Sequence, residues 1–228
     1  MKICIFSDIH GNGPAFKTAY KMIVSEKADV NIFLGDLCGY YYDQLEIFDK
    51  LITIPKLVAI QGNHDSMFLS MINGNSELRQ TYRKRYGNSM EYLLNNDTAG
   101  FVKWLSELPK SYLLADIGLS CYHGSPWNDM EGYVYPDSRL ERFFEYSSSC
   151  FFLGHTHYSM VRNIGNKLIL NPGSLGQPRN GGLPTYAILD FSSKKTVIKE
   201  VSYDKTELIK RIDSLVDKNP YLKEVLKR

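Results

Sequence analysis

The chain has 228 residues, of which 43% are hydrophobic and 23% charged, and its formal net charge at pH 7 is +2. This length can bury a large core, while the small net charge excludes a general electrostatic affinity for nucleic acid or membranes. The apolar run at the start is too short for a signal peptide, and no segment has the apolar length of a membrane span. We therefore expect a soluble, cytoplasmic protein. Its cysteines form no CxxC pair, and Cys4, Cys121 and Cys150 lie in apolar runs typical of buried free thiols.

The first quarter of the chain alternates between strand and helix patterns. Apolar runs predict strands over residues 2–6, 30–34 and 57–60, and apolar side chains at helical spacing predict helices over 14–26 and 43–51. This βαβαβ order is typical of a parallel sheet. Each of the three strands ends at a short polar segment that contains Asp or Asn.

The remainder is predicted to be a helical segment followed by a strand-rich half. Residues 66–108 are polar and mostly helical in pattern, and we expect an insert that either caps the site or covers the sheet. Turn signals, apolar runs and a capping box at Ser138 and Glu141 define the later elements. These are strands over 111–115, 119–122, 150–153, 160–164, 167–170, 185–191 and 195–201, and helices over 138–146 and 205–216. No linker interrupts the chain, so we predict one domain over residues 1–228.

All five histidines lie just after predicted strands, in predicted short loops that also contain Asp, Asn or Gly. With two aspartates and one asparagine they make a set of eight polar residues: Asp8, His10, Asp36, Asn63, His64, His123, His155 and His157. Ligand sites in open α/β sheets form beyond the carboxyl ends of strands, so we expect this set to converge at one sheet edge. Asp8 and His10 are two residues apart, as are His155 and His157, and in an extended chain each pair would point to one region.

One histidine after one strand is usually a structural residue, so the ordered recurrence of these residues is what favours a metal site. Carboxylate oxygen, imidazole nitrogen and amide oxygen suit manganese, iron, zinc, cobalt or magnesium better than they suit soft metals. The motifs are Asp8-Ile9-His10, Gly35-Asp36, Gly62-Asn63-His64-Asp65, His123-Gly124, Gly154-His155-Thr156-His157 and Asn171-Pro172-Gly173-Ser174. In this order they resemble the calcineurin-like metallophosphoesterase superfamily, and within it the small prokaryotic-type phosphodiesterases rather than the protein phosphatases.

The resemblance implies an α/β fold, a four-layer αββα sandwich of two mixed sheets with flanking helices. It also implies two divalent metal ions, manganese first, with iron, zinc, nickel, cobalt and magnesium as alternatives. One metal would be bound by Asp8, His10, Asp36 and His157. The other would be bound by Asp36, Asn63, His123 and His155, so that Asp36 bridges the two.

The resemblance further implies a reaction in which a metal-bridging hydroxide attacks a phosphate ester. His64 would face the substrate, where it protonates the leaving oxygen or stabilises charge in the transition state. We therefore expect catalytic roles for His64, Asp36 and Asn63.

One position departs from the pattern of the protein phosphatases in this superfamily. They carry a second Asp three residues after the bridging Asp, followed by Arg, and that second Asp orients the histidine that matches His64. Gly39 stands at this position, so we expect the orienting partner either to come from elsewhere, with Asp65 as the candidate, or to be absent. The missing Arg disfavours phosphoprotein substrates. Cys38 is expected to pack rather than to bind a metal.

The pattern leaves the substrate and some functions open. Tyr40, Tyr41 and Tyr42 either stack on a nucleobase or pack in the protein, and Arg179 either pairs with a phosphate or lies in solvent. We predict a phosphodiesterase acting on a small phosphoester or nucleotide, with a phosphomonoesterase as the alternative. The low net charge disfavours a nuclease, and the retention of all eight site residues disfavours a non-catalytic scaffold. No oligomeric state is predicted.

Overall fold

The computed structural model describes residues 1–215, 217 and 219–227. Its strands are β1 (Lys2–Phe6), β2 (Val30–Phe33), β3 (Leu57–Ala59), β4 (Ser111–Leu114), β5 (Leu119–Tyr122), β6 (Cys150–Leu153), β7 (Ser159–Ile164), β8 (Lys167–Pro172), β9 (Thr185–Asp190) and β10 (Lys195–Glu200). Its α-helices are α1 (Gly13–Ser25), α2 (Gln44–Leu51), α3 (Asn63–Ile72), α4 (Ser76–Tyr86), α5 (Ser89–Leu94), α6 (Ala99–Glu107), α7 (Lys205–Ser214) and α8 (Tyr221–Glu224). Short 3₁₀ helices span Ala115–Ile117, Glu141–Glu145 and Val225–Lys227.

The strands form two five-stranded mixed sheets, in the orders β10-β9-β1-β2-β3 and β4-β5-β6-β8-β7. In the first sheet β1, β2 and β3 are parallel, and β9 and β10 extend it in antiparallel fashion. In the second sheet the parallel strands β5, β6 and β8 are flanked by antiparallel β4 and β7. The predicted sandwich of two mixed sheets with flanking helices is confirmed.

The two sheets pack face to face because alternate side chains of each strand point to opposite faces. Ile3 and Ile5 of β1 lie in the core between the sheets, together with Phe152 of the second sheet. Cys4 and Phe6, on the other face of β1, pack under helices α1, α2, α3 and α6. All four cysteines are free and buried, as predicted for those in apolar runs.

Two predicted elements differ from the structure. The helix predicted over 138–146 is only the 3₁₀ helix Glu141–Glu145, because the Ser138 hydroxyl accepts the N–H of Tyr135 in a turn instead of capping a helix. The loop predicted at the end of β3 is wrong as well, since α3 already begins at Asn63. The helix predicted over 205–216 is α7, which ends at Ser214, and residue 216 lies outside the described residues.

Four helices, α3 to α6, occupy the stretch between β3 and β4, as the helical pattern of residues 66–108 predicts. Helices α3 and α6 pack against the first sheet, whereas α4 directs Tyr82 and Tyr86 towards the carboxyl ends of the strands. Within the described part of the chain, no helix is both long and apolar enough to cross a membrane.

Candidate metal centre

The structure brings the eight polar residues together where parallel strands of both sheets end. They follow β1 (Asp8, His10), β2 (Asp36), β3 (Asn63, His64), β5 (His123) and β6 (His155, His157). All eight are buried, and His155 is the most exposed at 8%. The candidate site therefore lies between two sheets, rather than at the edge of one as the sequence suggested.

The backbone of five of these eight residues is left-handed instead of extended. The angle φ is 55° at Asp8, 50° at His10, 63° at Asp36, 65° at His155 and 63° at His157. L-amino acids rarely occupy this region, and backbone strain of this kind concentrates at functional sites. The extended chain on which the prediction for the spaced pairs rested is therefore wrong, although both members of each pair do lie in the one site. Asp8 and His10 join the same group, whereas His155 and His157 join different groups.

The first group consists of Asp8, His10 and His157. Nε2 of His10 lies 3.0 Å from Nε2 of His157, and Oδ1 of Asp8 lies 3.3 Å from the His157 nitrogen and 3.7 Å from the His10 nitrogen. Nδ1 of His10 donates to the carbonyl of Cys38 at 2.8 Å, and Nδ1 of His157 to that of Gln177 at 2.7 Å. Since both Nδ1 atoms are thus protonated, two Nε2 lone pairs face each other, and a cation or a proton is needed between them.

The second group consists of Asp36, Asn63, His123 and His155. Nε2 of His123 lies 3.0 Å from Oδ1 of Asn63 and 3.2 Å from Oδ2 of Asp36. Nδ1 of His155 lies 3.1 Å from the same oxygen of Asn63. Nδ1 of His123 donates to the carbonyl of Leu34 at 2.7 Å, which leaves Nε2 as the free nitrogen.

Asp36 lies between the two groups. Its Oδ2 atom is 3.2 Å from Nε2 of His123 and 3.7 Å from Nε2 of His10. Its Oδ1 atom accepts the backbone N–H of His64 at 2.8 Å. One carboxylate oxygen thus faces donor atoms of both groups, which is the position that a shared ligand requires.

The donor atoms fit divalent cations. Oδ1 of Asp8 and Nε2 of His155 are buried and have no hydrogen-bond partner in the part of the chain that the structure describes, although buried polar atoms are normally paired. The surrounding carboxylate, imidazole and amide groups bind hard and borderline metals. The carbonyl groups behind His10, His123 and His157 fix the ring orientations, as carbonyls commonly do behind metal-binding histidines.

Burial and charge oppose each other in setting the pKa values of the site. Burial by itself raises the pKa of Asp8, but the neighbouring His157 and His123 hold it at about 2. Burial likewise raises the pKa of Asp36, but His123 and His64 outweigh it and keep that pKa well below its ordinary value. Burial lowers the pKa of His123, but the carboxylate of Asp36 outweighs it and raises the pKa to about 10. In the metal-free protein, a proton on His123 therefore replaces part of a cation's charge.

His64 is oriented by a residue that the sequence did not indicate. The carboxylate of Asp65 accepts three backbone N–H groups at 2.9–3.0 Å, those of Asp36, Cys38 and Gly62. The hypothesis that Asp65 orients His64 is therefore wrong. Instead, Nδ1 of His64 lies 3.0 Å from the hydroxyl of Tyr82 on α4. Nothing in the helical pattern of residues 66–108 distinguishes this tyrosine from one that packs in a core.

A cleft of ≈ 370 Å³ opens over five of the eight residues, a size suited to a small molecule. Its walls carry aromatic and charged side chains that belong to none of the motifs, and only Tyr40 and Arg179 among them were considered from the sequence as contacts to a substrate. These side chains are Tyr40, Arg85, Tyr86, Glu131, Tyr133 and Arg179. The ring centroid of Tyr40 lies 4.5 Å from that of His10, and that of Tyr133 lies 4.4 Å from that of His155. The cleft thus combines aromatic faces with two guanidinium groups above the candidate metal ligands.

The structure decides several alternatives that the sequence left open. Tyr40, Tyr41 and Tyr42 all pack against the C-terminal helices, and Tyr40 also lines the cleft. Arg179 is partly buried in the cleft wall, and its Nε atom has no hydrogen-bond partner in the described residues. Cys38 is fully buried, and burial raises the pKa of its thiol well above the ordinary value, in agreement with packing.

Comparison with known proteins connects this geometry to a family. Residues 1–194 match the model of the calcineurin-like phosphoesterase superfamily domain. The chain is 27% identical over 222 residues to the uncharacterized protein MJ0912 of Methanocaldococcus jannaschii, covering 89% of this chain and 88% of that protein. It is 22% identical over 199 residues to Phosphodiesterase YfcE of Escherichia coli, and the match covers 83% of this chain and 88% of that protein. A metallophosphoesterase from Sphaerobacter thermophilus shares the fold, with a TM-score of 0.82 and 21% identity, and the match covers 100% of this chain and 98% of that protein.

Proposed function

The chain belongs to the calcineurin-like phosphoesterase superfamily, and we propose that it is a phosphodiesterase that hydrolyses a small phosphoester or nucleotide with two divalent metal ions. The observation that carries this proposal is the 3.0 Å separation between Nε2 of His10 and Nε2 of His157, with both Nδ1 atoms already bound to carbonyl groups. The similarity to Phosphodiesterase YfcE supports a diester as the substrate.

In this proposal each metal has four protein ligands. Asp8, His10, Asp36 and His157 bind one, and Asp36, Asn63, His123 and His155 bind the other. The two groups of close donor atoms support this division, and the position of Oδ2 of Asp36 supports its sharing. Manganese is our first choice of metal, with iron, zinc, nickel, cobalt and magnesium as alternatives that the same donors accept.

When bound, the two metals supply hydroxide at neutral pH by lowering the pKa of water, and they neutralise charge on the phosphoryl oxygens. The low pKa values of Asp8 and Asp36 keep both carboxylates ionised as ligands. Asn63 is a neutral ligand, so the loaded site keeps a positive charge that attracts a phosphate anion. Arg179 adds a guanidinium group that can pair with a phosphate oxygen, and His64 acts on the leaving oxygen.

A phosphomonoesterase is the second candidate. It would use the same metal ligands, and the two arginines of the cleft wall, Arg85 and Arg179, favour it. A phosphomonoester carries up to one more negative charge at neutral pH than a diester does, and guanidinium groups bind such anions well. Within either function, we propose that the chain acts as one domain whose insert at about 66–108 supplies side chains to the cleft.

The proposal is tested by measuring how metal-stripped protein hydrolyses bis(p-nitrophenyl) phosphate and p-nitrophenyl phosphate, each with and without added manganese. We expect manganese-dependent turnover with a higher kcat/KM for the diester, and the reverse preference would favour the monoesterase. Asp36→Asn should lower kcat by at least about 100-fold, because it removes charge from the shared ligand. Asp190→Asn, at an exposed carboxylate remote from the cleft, is the control and should leave kcat unchanged. Turnover without metal, or a fully active Asp36→Asn variant, would contradict the proposal.

A further inference from the structure

Helix α4 of the insert brings the hydroxyl group of Tyr82 to His64. The side chain is 2% exposed, and its oxygen lies 3.0 Å from Nδ1 of His64. The same oxygen accepts the backbone N–H of Tyr40 at 3.3 Å. Among the residues that the structure describes, these are the two hydrogen-bond partners of the hydroxyl. Because an amide N–H can only donate, the hydrogen of the Tyr82 hydroxyl is left for Nδ1 of His64.

Gly39 provides the space for this contact. A Cβ atom built at position 39 would lie 2.7 Å from Nδ1 of His64 and 2.7 Å from the hydroxyl oxygen of Tyr82, and φ there is +100°. A side chain at this position would therefore force the imidazole and the phenol apart. Position 39 is also where the protein phosphatases of the superfamily carry their orienting Asp. The absence of a side chain at residue 39 and the entry of Tyr82 are thus two parts of one arrangement.

A hydroxyl and a carboxylate impose opposite polarity on the imidazole. An ionised carboxylate only accepts hydrogen bonds, so it keeps a proton on Nδ1, whereas a hydroxyl can donate to that nitrogen. Burial raises the pKa of the Tyr82 hydroxyl well above its ordinary value, so the hydroxyl keeps its proton. When Nδ1 accepts this bond, the ring's own proton lies on Nε2. Since His64 lines the cleft and Nδ1 is occupied, Nε2 is the nitrogen available to a ligand there.

We propose that Tyr82 is a positioning residue that holds His64 as the neutral tautomer with its proton on Nε2. This inference rests on the proposed phosphoesterase function and deepens it, because it selects between the two roles considered for His64. As the phosphorus–oxygen bond breaks and its electron pair moves to the leaving oxygen, Nε2–H stabilises that charge by a hydrogen bond and keeps its proton. The leaving group then takes its proton from water. A neutral imidazole is known to serve as such a hydrogen-bond donor in catalysis.

Long-range ¹H–¹⁵N NMR of the zinc-loaded protein at mildly alkaline pH measures the tautomer directly. The resonances of His64 are those that disappear in a His64→Gln variant. We expect an unprotonated Nδ1 and a protonated Nε2 in the wild type, and a mixture of tautomers in Tyr82→Phe. Tyr92→Phe is the matched control, because it removes a hydroxyl of the same insert that contacts Arg211 instead of the cleft. A proton on Nδ1 of His64 in the wild type would overturn the inference.

Kinetics separates positioning from a merely structural role. The substrates are p-nitrophenyl methyl phosphate and phenyl methyl phosphate, which differ only in how much charge stabilisation their leaving groups need. Tyr82→Phe should lower kcat about 10-fold for the phenyl ester and less than about 2-fold for the p-nitrophenyl ester. In a His64→Ala background the same substitution should have no further effect, since the two residues act as one unit.

Equal losses on both esters, or additive losses in the double variant, would show that Tyr82 only supports the fold. A wild-type protein that hydrolyses neither ester would contradict the proposed function instead. In that case the tautomer measured by NMR still decides this inference, because that measurement does not depend on turnover.

Discussion

Gly62→Ala tests whether the position of Asp36 controls the site. A Cβ atom built at Gly62 would lie 2.2 Å from Oδ1 of Asp36 and 2.3 Å from its backbone nitrogen. The backbone of Gly62 has φ −97° and ψ 172°, which alanine adopts readily, so the effect of the substitution is steric. To restore ordinary contacts, the backbone of Asp36 and its carboxylate must both move by about 1 Å relative to residue 62.

A shift of that size acts on both oxygens of the carboxylate. It breaks the 2.8 Å hydrogen bond between the N–H of His64 and Oδ1 of Asp36, and it alters the 3.2 Å contact of Oδ2 with Nε2 of His123. We expect kcat to fall about 100-fold, as misplacement by about 1 Å can cost this much. The affinity for metal should fall about 10- to 100-fold. Overpacking should lower the free energy of unfolding by about 1–3 kcal/mol.

Three measurements check these values: kcat with bis(p-nitrophenyl) phosphate, metal affinity by competition with a chromophoric chelator, and unfolding by urea. Gly100→Ala is the matched control, because a Cβ atom there meets no atom within 4 Å. That variant should keep full activity and gain about 0.5 kcal/mol of stability by restricting the unfolded chain. A Gly62→Ala variant with wild-type kcat and metal affinity would refute the idea that the carboxylate's position governs the site.

Further predictions concern the cleft wall, the metals and the buried thiol. Arg179→Ala should raise KM about 10-fold and Arg179→Lys by less, because lysine keeps the charge but not the fork of donors; steady-state kinetics measures both. Metal affinity should rise about tenfold per pH unit below the pKa of His123 at about 10, because that proton must leave before Nε2 binds a cation; calorimetry in two buffers counts the released proton. Chelation should destabilise the protein, and manganese at about 100 times its Kd should restore about 2.7 kcal/mol for each site that it fills, as urea unfolding would record. Cys38→Ala should leave the metal content unchanged while lowering stability by about 1 kcal/mol; a lost metal ion would instead make Cys38 a ligand.

The parallel strands could be predicted from sequence because their signals are local. The runs over 2–6, 30–34 and 57–60 match β1, β2 and β3 to within one residue at each end. The runs over 2–6 and 30–34 are mostly buried on both faces in a sandwich, so they are mostly apolar, and all three runs end abruptly at polar residues. The failed helix over 138–146 had the residues of a capping box, but Ser138 binds the N–H of Tyr135. A capping pattern does not fix which backbone N–H its hydroxyl will meet.

The residues of the candidate centre could be predicted, but their grouping could not be derived from spacing alone. His155 and His157 fall into different groups and Asp8 and His10 into one, although φ is left-handed at all four residues. A left-handed backbone at a residue other than glycine costs energy that only the surrounding structure can offset. Periodicity arguments assume regular backbone, so they fail at residues where the chain leaves a strand to form a site.

The sequence shows that the usual orienting residue of His64 is absent, but it does not identify Tyr82 as the residue that contacts His64 instead. Gly39 indicates that the group that orients His64 does not come from the segment after Asp36. The contact between His64 and Tyr82 joins residues 18 apart in sequence and depends on where α4 lies. Helical spacing cannot distinguish Tyr82 from the packing tyrosines of the chain, because its hydroxyl gains a role only through the space at position 39. The insert therefore lines the cleft as well as covering the sheet. It follows that a substitution in α4 can change how His64 acts while every metal ligand stays intact.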